Sequence, residues 1–166
     1  MSTKKNLADA FAGESQANRK YLAFARQADL DGFPQVARLF RGAAHAETIH
    51  ALAHLRAMGG IKNTADNLAA AVEGEGFEFQ QMYPPYLQQA KEEGDQLAEI
   101  SFRNALAVEE IHYKLYSDAL QAVKAGNDLV THSIYVCEIC GNTVYDEVPE
   151  RCPVCGVPRD KYTEIP

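Results

Sequence analysis

The sequence predicts a mainly α fold: a four-helix bundle followed by a small metal-binding module of strands and loops. Three observations carry that reading. Residues from about 4 to 125 are dominated by Ala, Leu, Glu, Gln and Arg and contain few breaks. The same stretch repeats itself at an offset of 62 residues. All four cysteines lie between Cys137 and Cys155, in a tail that also carries four prolines from Ile134 onward.

The helices follow from their punctuation. The first runs to about Leu30 and is ended by Asp31-Gly32-Phe33-Pro34, with Pro34 placed to open the second. The second runs to about Met58 and stops at Gly59-Gly60. Residues 61–72 read as a connection with a short helix capped by Asn63 or Thr64. The third long helix spans about Glu73 to Glu93 and should kink at Pro84-Pro85. Gly94 marks the turn into the fourth, which ends near Ala125 at Gly126-Asn127. Residues 1–128 are therefore expected to form the helical domain and 129–166 the metal module.

Composition narrows the function. Hydrophobic residues make up 46%, enough for a packed core, so disorder is not expected. A net charge of −7 argues against nucleic acid or an anionic membrane surface as the main partner. No apolar run approaches the roughly 18 residues of a membrane span. The start, with Lys4 and Lys5 followed by no apolar stretch, is not a signal peptide, so a cytoplasmic location is expected. Clustered cysteines in a reducing compartment bind metal more often than they pair.

The repeat carries the chemistry. Tyr21, Gln27, Ala28, Gly32, Phe40, Arg41, Ala43, Glu47 and His50 recur as Tyr83, Gln89, Ala90, Gly94, Phe102, Arg103, Ala105, Glu109 and His112. Two copies of one hairpin, each with one apolar face, can bury each other as a bundle. Each copy's second helix holds Glu-x-x-His, and residues three apart share a helix face. The first helices add Glu14, and Glu75 with Glu78. One Glu from each of two helices plus Glu-x-x-His from the other two is the di-iron and di-manganese carboxylate pattern.

Height tests that pattern. Glu14 lies 18 residues before Gly32 and Glu47 lies 15 after it. Glu78 lies 16 before Gly94 and Glu109 lies 15 after it. In antiparallel hairpins these positions meet at nearly one level, roughly 22–27 Å from the turn. A single Glu-x-x-His arises readily by chance on a solvated face. The repeated pair at matched height does not, and several carboxylates buried without cations would be very costly. His54, one turn beyond His50, reads as a packed neighbour, His45 and His132 as surface residues, and Glu110 as solvated.

Cys137, Cys140, Cys152 and Cys155 form two Cys-x-x-Cys loops, each followed by glycine. Four thiolates at this spacing suit a tetrahedral zinc or iron site. Spacing alone leaves both metals open and slightly favours a structural zinc ribbon.

These motifs, taken in order, resemble the rubrerythrin family. The segments are Phe11 to Tyr21, Ala46 to His50, Gly74 to Glu78, Met82 to Pro84 and Glu109 to His112, together with the Cys-Glu-Ile-Cys-Gly and Cys-Pro-Val-Cys-Gly loops. The resemblance implies a ferritin-like bundle, formed within one chain or exchanged between two, and a rubredoxin-like domain. It implies a di-iron site in the bundle and one iron in the four cysteines, with zinc as a substitute. The implied activity is reduction of hydrogen peroxide to water in oxidative-stress defence, with electrons relayed through the cysteine-bound iron from a rubredoxin or an NAD(P)H-dependent reductase. It implies that Glu47 and Glu109 bridge the irons, that Glu14 and Glu78 hold one, and that Glu75 with His112 holds the other. His50 would replace Glu78 on reduction. Tyr21 and Tyr83 are placed near the site by the resemblance, while their positions read equally well as core. The competing function is a ferroxidase or iron-storage protein with a structural zinc ribbon.

Assembly completes the expectations. The connection between the second and third helices is short for parallel helices, which allows two chains to exchange hairpins. His112 lies fourteen residues before Gly126, so the fourth helix should end roughly 21 Å from the metal site. An eight-residue linker should then leave the cysteine module distant from its own chain's site. A homodimer with electrons crossing between chains follows as an expectation.

Overall fold

The computed structural model describes residues 2–166; Met1, the first residue of the expected helical domain, lies outside them. The order of elements is α1 (Thr3–Leu30), α2 (Pro34–Ala57), α3 (Thr64–Phe77), a π-helical turn (Glu78–Met82), α4 (Tyr83–Glu93), α5 (Gln96–Lys124), β1 (Ile134–Cys137), β2 (Thr143–Tyr145), a 3₁₀ turn (Arg159–Lys161) and β3 (Tyr162–Ile165). They group into two compact units, Met1–Lys62 and Asn63–Pro166. The fold is mainly α with a small three-stranded module.

The first unit is the α1–α2 hairpin. Ser2 caps α1, and Pro34 occupies the first turn of α2, where its missing N–H costs nothing. Its seam is built of small residues: Ala25 and Ala28 of α1 and Ala37, Ala44 and Ala51 of α2 are all buried. Asn18 ties the helices, its amide donating to the Ala44 carbonyl at 2.7 Å and to Thr48 Oγ1 at 2.8 Å.

The second unit begins with a correction. The expected short helix and third helix are one run from Thr64, capped by the Asn63 side chain, and continue through the π turn into α4. Only residues 58–63 connect α2 to α3. The expected disturbance at Pro84-Pro85 takes the form of the wide turn just before them, closed by the Tyr83 N–H on the Glu78 carbonyl. Proline rings clash with carbonyls four residues back, and a widened turn moves those carbonyls aside.

A π turn is one residue inserted into an α-helix, and the sequence records the insertion. Thr3, Asn6, Leu7, Gly13 and Glu14 match Thr64, Asn67, Leu68, Gly74 and Glu75 at an offset of 61, not 62. The offset becomes 62 by Tyr21 and Tyr83, just past the π turn. Glu75 is thus the true counterpart of Glu14, and Glu78 is extra.

The module is an antiparallel sheet in the order β2-β1-β3. Tyr135 pairs with Val144 on one side and Glu164 on the other. Its core holds Cys137, Cys152 and Asn142, whose amide donates to the Tyr162 hydroxyl at 2.7 Å. His132 is at the surface, as expected, but it is not without partners. Its Nδ1 lies 2.6 Å from Asp146 Oδ2, and its ring stacks on Tyr145 at 4.9 Å, pinning the linker to the module.

Candidate metal centres

Helical spacing sets the first group. Glu47 and His50 project from one face of α2 and meet Glu14 of α1, their ligand atoms all within 4.8 Å of one another. His50 Nδ1 lies 3.0 Å from Glu47 Oε2, and the ring is 56% exposed. Tyr21 sits two turns along α1 from Glu14, packed between Phe24 and Phe40.

The second group is its counterpart and is more elaborate. Glu75, Glu109 and His112 place their ligand atoms within 4.8 Å of one another. His112 Nδ1 faces Glu109 Oε2 at 3.0 Å and Glu75 Oε1 at 4.0 Å. Gly76 lets α3 approach α5 closely: a Cβ there would stand 3.2 Å from the Tyr113 ring. Burial, then the hydrogen bond and charge of Glu109, push Glu75 up to about 7 against the pull of His112. Glu78 is raised by burial and by the charge of Glu75. Tyr83 is raised by burial, then by the charges of Glu78, Glu109 and Glu75. It also packs on Phe102, as Tyr21 packs on Phe40. Crowded carboxylates that hold a proton near neutral pH are what a divalent cation displaces. The donor set fits hard or borderline metals.

The four cysteines form the third group, with no disulfide among them. Cys137 and Cys155 Sγ are 3.8 Å apart, Cys140 and Cys152 Sγ are 3.5 Å apart, and all four lie within 4.8 Å of one another. A tetrahedral ion bound at about 2.3 Å holds its sulfurs about 3.8 Å apart, so the cage fits one. Gly141 and Gly156 take positive φ at +85° and +77°, which lets each loop curl back on its first cysteine. Their N–H groups donate to the Cys137 and Cys152 carbonyls. Burial pushes the Cys140 thiol up. Burial also works against the Cys152 thiolate, but the Tyr162 hydroxyl and the N–H groups of Cys155 and Val154 outweigh it and bring that thiol down to about 6.

The cysteine module does not stand away from its own chain's carboxylates. His112 Nε2 lies 3.1 Å from Thr143 Oγ1 of β2. The expectation of a distant module is overturned, because residues 126–133 return the chain along α5. Sequence reasoning missed Thr143, Asn142 and Tyr162, whose partners lie 31, 20 and 10 residues away along the chain. Of the other predicted positions, Glu110 is solvated and paired with Lys114, and His45 is exposed.

Two carboxylate–histidine groups on paired helices, with a four-cysteine cage in the same chain, define a metalloprotein of the di-iron carboxylate class carrying a rubredoxin-like site. The rubrerythrin family model matches residues 5–120, and that of the rubrerythrin rubredoxin-like domain matches residues 135–163. Rubrerythrin-2 of Clostridium acetobutylicum is 38% identical, over 94% of this chain and 92% of its own. Nigerythrin of Nitratidesulfovibrio vulgaris is 36% identical over 98% and 86%, and rubrerythrin of that organism is 34% identical over 96% and 92%. A solved structure of nigerythrin in its partially reduced state superposes with a TM-score of 0.58 at 33% identity, covering 99% of this chain and 87% of that one. Another of these structures is of fully reduced, all-ferrous nigerythrin. The chain belongs to the rubrerythrin family.

Proposed function

We propose that the protein is a non-haem di-iron peroxidase that reduces hydrogen peroxide to water. The observation that carries this reading is the seat of the cysteine cage: its module rests on His112, a residue of the carboxylate group. A storage protein has no use for a one-electron centre there.

Bound irons would supply the two electrons that, with two protons, convert one peroxide to two waters. The chain's residues supply the rest. Glu47 and Glu109 are assigned as bridges, Glu14 and Glu78 to one iron, and Glu75 with His112 to the other. The grouping of Glu14 with Glu47 and of Glu75 with Glu109 supports the assignment. His50, held by one hydrogen bond and largely exposed, is suited to exchange with Glu78 on reduction. Tyr83 keeps its hydroxyl proton beside the carboxylates and can donate to the leaving oxygen. Tyr21 is assigned the matching place beside Glu14.

We further propose a homodimer that exchanges hairpins. In a ferritin-like bundle the second and third helices run parallel. Glu47 lies ten residues before the end of α2 and Glu75 eleven after the start of α3. Levelling the two in parallel helices separates those ends by about 31 Å. Seven Cα steps reach at most about 25 Å. One chain therefore supplies the first group and its partner the second.

A division into domains 1–128 and 129–166 is proposed, and the family matches to residues 5–120 and 135–163 support it. No described helix is long and apolar enough to cross a membrane, and a cytoplasmic site of action is proposed. The donor is proposed as a rubredoxin or an NAD(P)H-dependent reductase.

The test is anaerobic mixing of fully reduced, iron-loaded protein with peroxide. Ferric-thiolate colour should appear as peroxide is consumed, with no release of oxygen. Iron accumulating as mineral while the cysteine centre stays colourless would establish the ferroxidase reading instead.

A further inference from the structure

The contact between His112 and the cysteine module has a defined direction. Thr143 Oγ1 lies 3.1 Å from His112 Nε2 and 3.1 Å from the Gly141 carbonyl oxygen. A hydroxyl has one proton to give, and a carbonyl can only accept. The proton therefore goes to Gly141, which leaves the hydroxyl lone pair to accept the Nε2–H of His112. That tautomer leaves Nδ1, which faces Glu75 and Glu109, free to bind metal.

A second contact fixes the same loop. A Cβ at Gly141 would lie 3.6 Å from Val108 Cγ1, and buried Val108 is one turn before His112 on the same face of α5. The first cysteine loop is thus seated along α5 by packing at Val108 and by hydrogen bonding at His112. Gly141 directly follows Cys140, so an unbroken chain of covalent and hydrogen bonds runs from the Cys140 sulfur to His112 Nδ1.

We propose that Thr143 is a positioning residue, which holds the His112 imidazole with Nδ1 toward the metal and couples the cysteine centre to the carboxylate centre within one chain. The coupling half rests on the peroxidase reading; the positioning half does not. When loaded with iron, the cysteine centre would supply one electron per transfer to the carboxylate centre, and Thr143 and His112 would only hold the route between them. Two transfers serve each peroxide, and no bond forms or breaks along the route.

The test compares Thr143→Val, which keeps the shape and loses the hydroxyl, with Thr143→Ser, which keeps the hydroxyl. Zinc-loaded full-length protein reports the tautomer by ¹⁵N NMR. The wild type and Thr143→Ser should show a protonated, hydrogen-bonded Nε2, and Thr143→Val should lose the hydrogen-bonded signature. Iron-loaded, pre-reduced protein at equal iron content is then mixed with peroxide, and the ferric-thiolate band is followed. Thr143→Val should slow its appearance by about tenfold or more, and Thr143→Ser should restore it. Wild-type rates and an unchanged Nε2 signal in Thr143→Val would overturn the proposal. If the wild-type band never appears, the peroxidase reading and the coupling fail together, and the NMR result still decides the positioning.

Discussion

The two carboxylate–histidine groups descend from one pattern and differ in how firmly they are held. Around Glu14, Glu47 and His50 the helices are regular, and His50 has one partner and a ring 56% exposed. Around Glu75, Glu109 and His112 a residue has been inserted, an extra carboxylate is present, and each imidazole nitrogen has a polar neighbour within 3.1 Å. The side-chain exposure of His112 is 27%, half that of its counterpart. Under the proposed function the comparison reads as a division of labour: the second hairpin would fix its ligands and receive electrons, while the first would carry the histidine that moves.

The largest effect should come from the carboxylates proposed as bridges. Glu109→Ala should empty the carboxylate centre of metal and leave the cysteine metal in place, as counted by metal analysis, because one bridging carboxylate neutralises two cations. Two carboxylate-site metals bound with unchanged affinity in that variant would break the ligand assignment. Cys152→Ser comes next. Pre-reduced protein should still turn over once with peroxide, while steady turnover stops. Loss of the single turnover with the carboxylate metals still bound would assign the module another task.

Deletion of Gln80 sharpens the contrast between the hairpins. It should return residues 78–82 to α-helix and make the second hairpin resemble the first. Tyr83 and the rest of α4 would then rotate by roughly 100° about the helix relative to Glu75 and Glu78. Helix content by circular dichroism should hold, while metal affinity at the carboxylate centre falls and the cysteine centre keeps its spectrum.

The smallest effect is on pH dependence. Glu75 in the folded, metal-free protein titrates near 7, above its ordinary 4.5. A carboxyl raised in this way contributes stability that is full below its unfolded value and lost as pH rises through about 7. The melting temperature of metal-free protein should therefore fall by a few degrees between pH 5 and 8. Glu75→Gln should flatten the curve.

Much of this was legible in the residues. Glu-x-x-His twice at one height and Cys-x-x-Cys twice need only helix geometry and counting. The inserted residue was hidden because the offset of 62 pairs Glu14 with Gly76 and conceals its match to Glu75. Pro84-Pro85 announced a disturbance but not that a π turn would absorb it. The return of the module was not legible. It depends on Thr143 meeting His112 across 31 residues and on His132 clasping Asp146, single side-chain pairs that leave no period in the chain.

The central claim is that each working site joins the first hairpin of one chain to the second hairpin and cysteine module of its partner. Subunit exchange between inactive variants tests it directly. Glu47→Ala mixed with Glu109→Ala should regain about a quarter of wild-type steady activity, since half the dimers are mixed and each rebuilds one of its two sites. Cys152→Ser mixed with Glu109→Ala should regain none, because carboxylates and cysteines then fail on the same side of every site. Activity from the second mixture, or none from the first despite proven exchange, would contradict the account.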